Sequence, residues 1–212
     1  MNGERGGQVI RYTFQERTMH IVVAILFVYL LLTGLAFWTP GLYWIAVMLG
    51  GGFLSRLLHP WVGVAFFVIV LWMVAIWTRD MRITPADRAW RRAMRSYARN
   101  EDEAVPPAGR FNYGQKLFFW GMTWAAVVLL TSGLVLWFPA AISGSPELLR
   151  LAILLHVLSA LVAIGLFIIH VYMGVFVVPG SVEAIVRGTV TREWARHHHR
   201  LWADETSARP ER

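Results

Sequence analysis

The chain contains seven histidines and no cysteine. Any redox metal it holds must therefore rest on imidazole or thioether ligands, and iron-sulfur clusters on thiolates, thioether-attached haem and disulfides are all excluded. Four histidines, His20, His59, His156 and His170, lie in or at the edge of long apolar runs. An ionisable side chain is costly there and marks a functional candidate, although a helix-end imidazole bonded to water or a backbone carbonyl is the ordinary alternative. His156 and His170 are fourteen positions apart. On a helix that spacing puts them within about 40° of one face and about 21 Å apart along the axis. Two sites on one face are implied, one towards each end.

The elements that must carry these residues can be read from the charge pattern. The chain has 212 residues, 57% of them hydrophobic, which points to a membrane rather than water as solvent. Lys, Arg, Asp and Glu are absent from His20 to Ser55, Leu57 to Thr78, Leu117 to Pro146 and Leu151 to Val182. Each run exceeds the roughly 20 apolar residues a spanning helix needs. The first is too long for one helix, and Thr39-Pro40-Gly41 breaks it. The expected fold is an all-α membrane protein, a four-transmembrane-helix bundle in one domain covering 1–212. Its helices are expected near 18–38, 57–78, 116–138 and 147–176, with a polar loop over 79–115 and a tail over 179–212. Leu42 to Phe53 is expected to form a loop or a short interfacial segment. Arg11 and Arg17 precede an apolar run as in a secretory signal, but the run exceeds the roughly 7–15 residues of such signals and no small-residue cleavage site follows. The run is expected to stay as a helix.

Of the 20 Lys and Arg, only Arg56 and Arg150 fall after the first and third helices. The positive-inside rule then places both termini in the cytoplasm. The net charge of +7 flanks spans, so it is read as a topology signal and not as a nucleic-acid footprint. Within the loop, Ala86 to Asn100 sets Trp90, Met94 and Tyr97 at helical spacing among Arg88, Arg91, Arg92, Arg95 and Arg99, as in a basic helix lying on an anionic leaflet. Glu101 to Gly109, with Pro106-Pro107, reads as the turn back to the third helix. In the tail, His197, His198 and His199 point in different directions on a helix, and a solvated face or a partner contact is expected for them.

Given that topology, His59 and His156 fall on the outer side and His20 and His170 on the inner. Paired imidazoles from facing helices in apolar surroundings are how a bundle holds the two axial positions of a b-type haem. Zinc suits the pattern less well, because each pair has no thiolate or carboxylate to complete four ligands. A haem-free transporter relaying protons through the histidines is a different class, and the absence of Asp and Glu from the spans counts against it. Gly34, Gly63, Gly133 and Gly165 allow close approach by a flat macrocycle or by a neighbouring helix. Arg56 and Arg150 precede the outer histidines and are candidates for haem propionate contacts; ordinary helix-flanking charge is their other reading. The segments LLLTGLAFWTP and LLTSGLVLWFP, at the ends of the first and third helices, form an internal echo.

Several motifs resemble a known family. Arg11-Tyr12 with Glu16-Arg17 and His20; Gly51-Gly52 with Arg56-Leu57-Leu58-His59-Pro60; Asn112-Tyr113-Gly114-Gln115-Lys116 with Phe119-Trp120; His156, His170 and Tyr172; and Gly188 through Trp194-Ala195-Arg196-His197 together resemble the gamma subunit, cytochrome b556, of membrane-bound bacterial formate dehydrogenases. The resemblance covers nearly the whole chain. It implies two b haems with the pairing above, an outer iron-sulfur beta subunit, and through it a molybdenum or tungsten alpha subunit that oxidises formate. It further implies location in the bacterial inner membrane and reduction of menaquinone or ubiquinone near the cytoplasmic face. The residues matching that family's quinone pocket are Asn112, Gly114, His170 and Gly174, with Tyr113 standing where small residues are usual. A cytochrome b serving a hydrogenase or a thiosulfate-type reductase would use the same wiring.

Overall fold

The structure, a computed structural model, describes residues 7–99 and 106–207, apart from the side chains at 97, 98 and 143. Residues 100–105 of the expected loop, the Tyr97 side chain and the tail beyond Ser207 lie outside the described residues. Four helices are long and apolar enough to cross a membrane: Phe14–Trp38, Gly52–Trp77, Tyr113–Trp137 and Pro146–Val177. We label the first three α1, α3 and α5; the fourth is α6, Pro146–Tyr172, continued by a π-helical turn, Met173–Val177. The chain divides into two compact units, Thr18–Ala75 with Gly121–Phe167, and Met1–Arg17 with Ile76–Trp120 and Ile168–Arg212.

The first of these is apolar. Phe27 of α1, Phe66 and Val70 of α3, Ala125 and Ala126 of α5 and Ala163 of α6 form its core. The Phe27 ring lies 6.0 Å from Phe66 and 4.9 Å from Phe167, while the three alanines let backbones approach closely. Ile25, Val68 and Val162 are exposed, as side chains facing lipid must be. Between α1 and α3, Thr39 caps a short 3-10 turn, Pro40–Leu42, and α2 follows over Tyr43–Met48. Gly50 and Gly51 then take φ of 95° and 100° to turn the chain into α3, a region that disfavours any Cβ. Leu42 to Phe53, expected as a loop or a short interfacial segment, is thus largely helical, seated by Ile45 and Ala46 against Ala36.

Polar contacts hold the second unit together. Strand β1, Gln8–Ile10, pairs antiparallel with β2, Thr189–Thr191. Helices α4 (Pro85–Ala98), α7 (Ser181–Arg187), α8 (Arg192–His198) and α9 (Arg200–Ser207) complete it. Arg17 donates to the carbonyls of Ile185, Val186 and Arg187, the last of α7, which have no acceptor role left within the helix. Gly188 ends α7 at φ 83°, the left-handed C-cap that favours glycine.

The spans start earlier than the charge-free runs suggest. Thr13 and Glu16 form a reciprocal capping box at α1, with Thr13 N donating to Glu16 Oε2 (2.8 Å) and Glu16 N to Thr13 Oγ1 (3.3 Å). Asn112 and Gln115 do the same at α5, each backbone N–H meeting the other's side-chain oxygen at 3.0 and 2.9 Å. A helix begins at its cap, so charged residues occupy the first turns of the spans. The basic loop helix forms as expected, with Arg88, Arg91, Arg92 and Arg95 exposed. Trp90, however, is only 4% exposed and turns into its own unit, near Gly114 of α5, instead of towards a membrane surface.

Candidate functional site

His59 of α3 and His156 of α6 face each other in the apolar unit, with ring centroids 6.5 Å apart and planes at 58°. Two imidazoles on opposite sides of one metal, each at a metal–nitrogen distance of about 2 Å, would have centroids about 6 Å apart. The observed separation fits such a pair. Both rings are anchored from a neighbouring helix: His59 Nδ1 lies 2.6 Å from Thr33 Oγ1 of α1, and His156 Nδ1 lies 3.0 Å from Ser132 Oγ of α5. Glycines follow both hydroxyl residues. A Cβ on Gly34 would lie 3.9 Å from His59 Cε1, and one on Gly133 would lie 3.3 Å from His156 Cε1. The echo in the sequence, Thr33-Gly34 against Ser132-Gly133, is therefore an echo of site construction. Phe37 closes on the edge of His59 at 5.5 Å.

The donor set suits a metal that brings its own equatorial ligands. Among the described residues no three His, Cys, Asp or Glu side chains gather to hold a metal ion, whereas a porphyrin needs only an axial pair. Ser55 is fully buried (0% exposed), and its Oγ has no hydrogen-bond partner. It lies one turn before His59 on the same helix face, beside Arg56, where a haem carboxylate would give it an acceptor. Arg56 and Arg150 are both exposed, at the ends of α3 and α6 where cations can reach a propionate. Pro60, inside α3, cannot donate to the Arg56 carbonyl and loosens the helix beside His59.

A family model described as prokaryotic cytochrome b561 matches residues 11–188. The chain belongs to the prokaryotic cytochrome b561 family. Among curated relatives, the formate dehydrogenase cytochrome b556(fdo) subunit of Escherichia coli K12 is 34% identical over 203 residues, covering 95% of each chain. The nitrate-inducible formate dehydrogenase cytochrome b556(Fdn) subunit of the same strain is 31% identical over 198 residues, covering 93% of this chain and 91% of the relative. The formate dehydrogenase cytochrome b556 subunit of Haemophilus influenzae is 32% identical over 199 residues, covering 93% and 83%.

Membership of a cytochrome b family implies haem b, in keeping with the facing pair His59 and His156. The other expected ligands of this cytochrome b561 chain are His20, half-buried near the start of α1, and His170, whose ring stacks on Phe118 at 4.4 Å and 10°. Asn112 and Gly114 are brought together: a Cβ on Gly114 would lie 3.4 Å from Asn112 Oδ1 and 3.8 Å from the Trp90 ring. Asn112 is buried, and its Oδ1 serves the helix cap described above. Gly174 lies in the π turn that follows α6, with nothing within 4 Å of where its Cβ would be. π turns recur at functional sites.

Sequence reasoning missed three residues. Thr33 and Ser132 gave no signal of their own, because a hydroxyl inside a span ordinarily bonds its own helix. His199 corrects the expectation of a solvated or partner-facing run: His197 is exposed, but His199 is 2% exposed. Its Nδ1 donates to Gly109 O at 2.8 Å, and its Nε2 accepts from Arg11 Nη2 at 3.2 Å. Burial, and then the Arg11 charge, hold its imidazole well below the usual range. Arg11, 1% exposed, is ringed by Tyr12, Phe111, Trp194 and Trp202 at 4.7–5.8 Å. Nearby, Arg110 bridges Asp80 (2.6 Å) and Glu16 (2.7 Å), while Lys116 pairs with buried Asp87 at 2.7 Å.

Proposed function

We propose that this chain is the dihaem cytochrome b subunit that anchors a formate dehydrogenase in the bacterial inner membrane and passes its electrons to a quinone. The observation that carries the reading is the facing pair His59 and His156, whose separation suits one iron and whose Nδ1 atoms are already engaged. His59 and His156 would hold the outer haem, with Ser55, Arg56 and Arg150 available to its propionates. His20 and His170 would hold the inner one, an assignment that rests on their positions along the spans and on the family resemblance. When bound, b-type haem supplies one-electron transfer, so two of them give electrons a route from one membrane surface to the other. The apolar core around Phe27 and Phe66 keeps water from that route.

Electrons would enter from an iron-sulfur beta subunit on the outer side, fed by a molybdenum or tungsten alpha subunit that oxidises formate. They would leave at a quinone, menaquinone or ubiquinone, near Asn112, Gly114, His170 and Gly174. Two electrons and two protons make one quinol. Asn112 follows the polar loop, from which water can deliver the protons. Both termini would lie in the cytoplasm, and the whole chain would form one cytochrome b domain. The names of the relatives support the formate partner, but the matching family model is not confined to it. A cytochrome b of a hydrogenase or a thiosulfate-type reductase is the second reading, separated by the subunits that copurify.

The test is a dithionite-reduced minus oxidised spectrum of the purified protein with haem counted per chain. Two b haems are expected, one lost in His59→Ala or His156→Ala and the other in His20→Ala or His170→Ala. Both haems surviving in any of these variants would overturn the ligand assignment.

A further inference from the structure

The hydrogen-bond geometry around His59 and His156 bears on which ring nitrogen carries the proton. Thr33 Oγ1 lies 2.8 Å from Tyr29 O and 3.2 Å from Leu30 O, one turn back on its own helix. Ser132 Oγ lies 2.5 Å from Val128 O and 3.3 Å from Leu129 O, and the Leu129 carbonyl also accepts from the His156 ring, which likewise requires a hydrogen on the imidazole. A carbonyl oxygen can only accept, and a hydroxyl has one hydrogen to give. That hydrogen goes to the helix carbonyl in both cases. Towards the imidazole each hydroxyl can therefore act only as an acceptor, so Nδ1 of His59 and of His156 must carry the hydrogen. In a neutral imidazole the other nitrogen, Nε2, then keeps its lone pair.

We infer that Thr33 and Ser132 are positioning residues that lock His59 and His156 in the Nδ1–H form, holding both Nε2 lone pairs ready for one haem iron and setting the electron richness of that iron. The inference rests on the haem reading above. The same device is built twice, on α1 and on α5, and both hydroxyl residues are buried, Thr33 at 0% and Ser132 at 5% exposure. Packing alone would accept Val at the first position and Ala at the second. A hydrogen bond from Nδ1–H to a neutral oxygen gives the ring partial imidazolate character, makes Nε2 a stronger donor and favours the ferric state. Two such bonds on one iron lower its potential, and both act on the haem held by His59 and His156.

The test uses the full chain purified with whatever subunits accompany it, and titrates each haem potentiometrically while counting haem per chain. His59→Ala identifies which potential belongs to the outer haem. Thr33→Val and Ser132→Ala are each expected to keep both haems and to shift the outer potential upward, with a larger upward shift in the double variant and no change at the inner haem. Thr33→Ser and Ser132→Thr restore the hydroxyl and are expected to stay at the wild-type value. Should Thr33→Val fail to assemble, Ser132→Ala and Thr33→Ser carry the same readout. An unmoved outer potential in the double variant, with both haems present, overturns the tautomer assignment and leaves the haem reading standing. A shift in Thr33→Ser as large as in Thr33→Val also overturns it, because packing would then be the cause. A wild-type protein without haem overturns both.

Discussion

Small differences in distance separate the two glycines opposite the histidines. A methyl group on Gly34 would sit 3.9 Å from His59, an ordinary contact, but on Gly133 it would sit 3.3 Å from His156, close enough to push the ring by a few tenths of an ångström. Gly133→Ala is expected to lower haem content or shift the outer haem's spectrum, and Gly34→Ala to leave both unchanged; haem counted per chain after purification checks this. His199 gives a second prediction at the same scale. Its folded-state pKa lies below the usual 6.5 because burial, then Arg11 and His198, disfavour the cation. An unfolded chain therefore takes up the proton first, so stability contributed by the neutral ring is complete above about pH 6.5 and falls as the pH drops below it. Backbone hydrogen-exchange protection over 195–203, taken relative to the intrinsic exchange rate at each pH, should fall at pH 5 compared with pH 7.5; equal protection at the two pH values would mean that charging His199 costs the fold nothing. The facing pair His59 and His156 was legible because an ionisable side chain stands out in an apolar run. Thr33 and Ser132 were not, since nothing in the sequence tells a hydroxyl that bonds only its own helix from one that also holds a ring on the next. His199 was hidden by its neighbours: a run of three identical polar residues looks solvated, and only the fold turns one of them inward.

Helices and their ends carry the next set of consequences. Gly188 ends α7 at φ 83°, and a Cβ there would meet Arg17 Nη1 at 2.8 Å and Tyr12 O at 2.9 Å. Gly188→Ala must adopt a left-handed conformation costing about 1–2 kcal/mol and also displaces Arg17 from the α7 carbonyls. Faster proteolysis in the segment 181–199, with the apolar spans unaffected, is the expected result. Asp87, in the first turn of α4, reaches back to Thr84 ahead of the helix, accepting from Thr84 N at 2.6 Å and Thr84 Oγ1 at 2.8 Å, while Lys116 binds the same oxygen. Burial works against its charge, but the bonds from Lys116 and Thr84 prevail and hold the carboxyl below its usual range. Lys116→Met strands that carboxylate, with an expected loss of about 3 kcal/mol; Lys116→Met with Asp87→Asn should recover much of it, as measured by protease resistance of α4. The number and order of the spans were plain from charge-free runs. Their starts were not, because Glu16, Arg56 and Lys116 lie within helices whose first turns are set by caps or by the glycine turn before α3, and not by the last charge.

At the scale of the whole molecule, the proposed wiring has an energetic signature. Electrons moving from the outer to the inner side, with protons for quinol drawn from the inner side, would separate charge worth about 2.3 kcal/mol per elementary charge for each 100 mV. Vesicles carrying the intact complex and a quinone should build an inside-negative potential when formate is supplied to the outer surface, and an ionophore should abolish it. Quinone reduction without any potential would mean that the protons come from the same side as the electrons. The antiparallel ladder between Gln8–Ile10 and Thr189–Thr191 has a bearing on how such a molecule is made. Thr189 Oγ1 meets Gln8 Oε1 across 181 positions of sequence, so strand β1 has no partner until all four spans have followed it. A segment made before the spans is fixed only after them, and the closing of the polar unit reports that all four have been threaded.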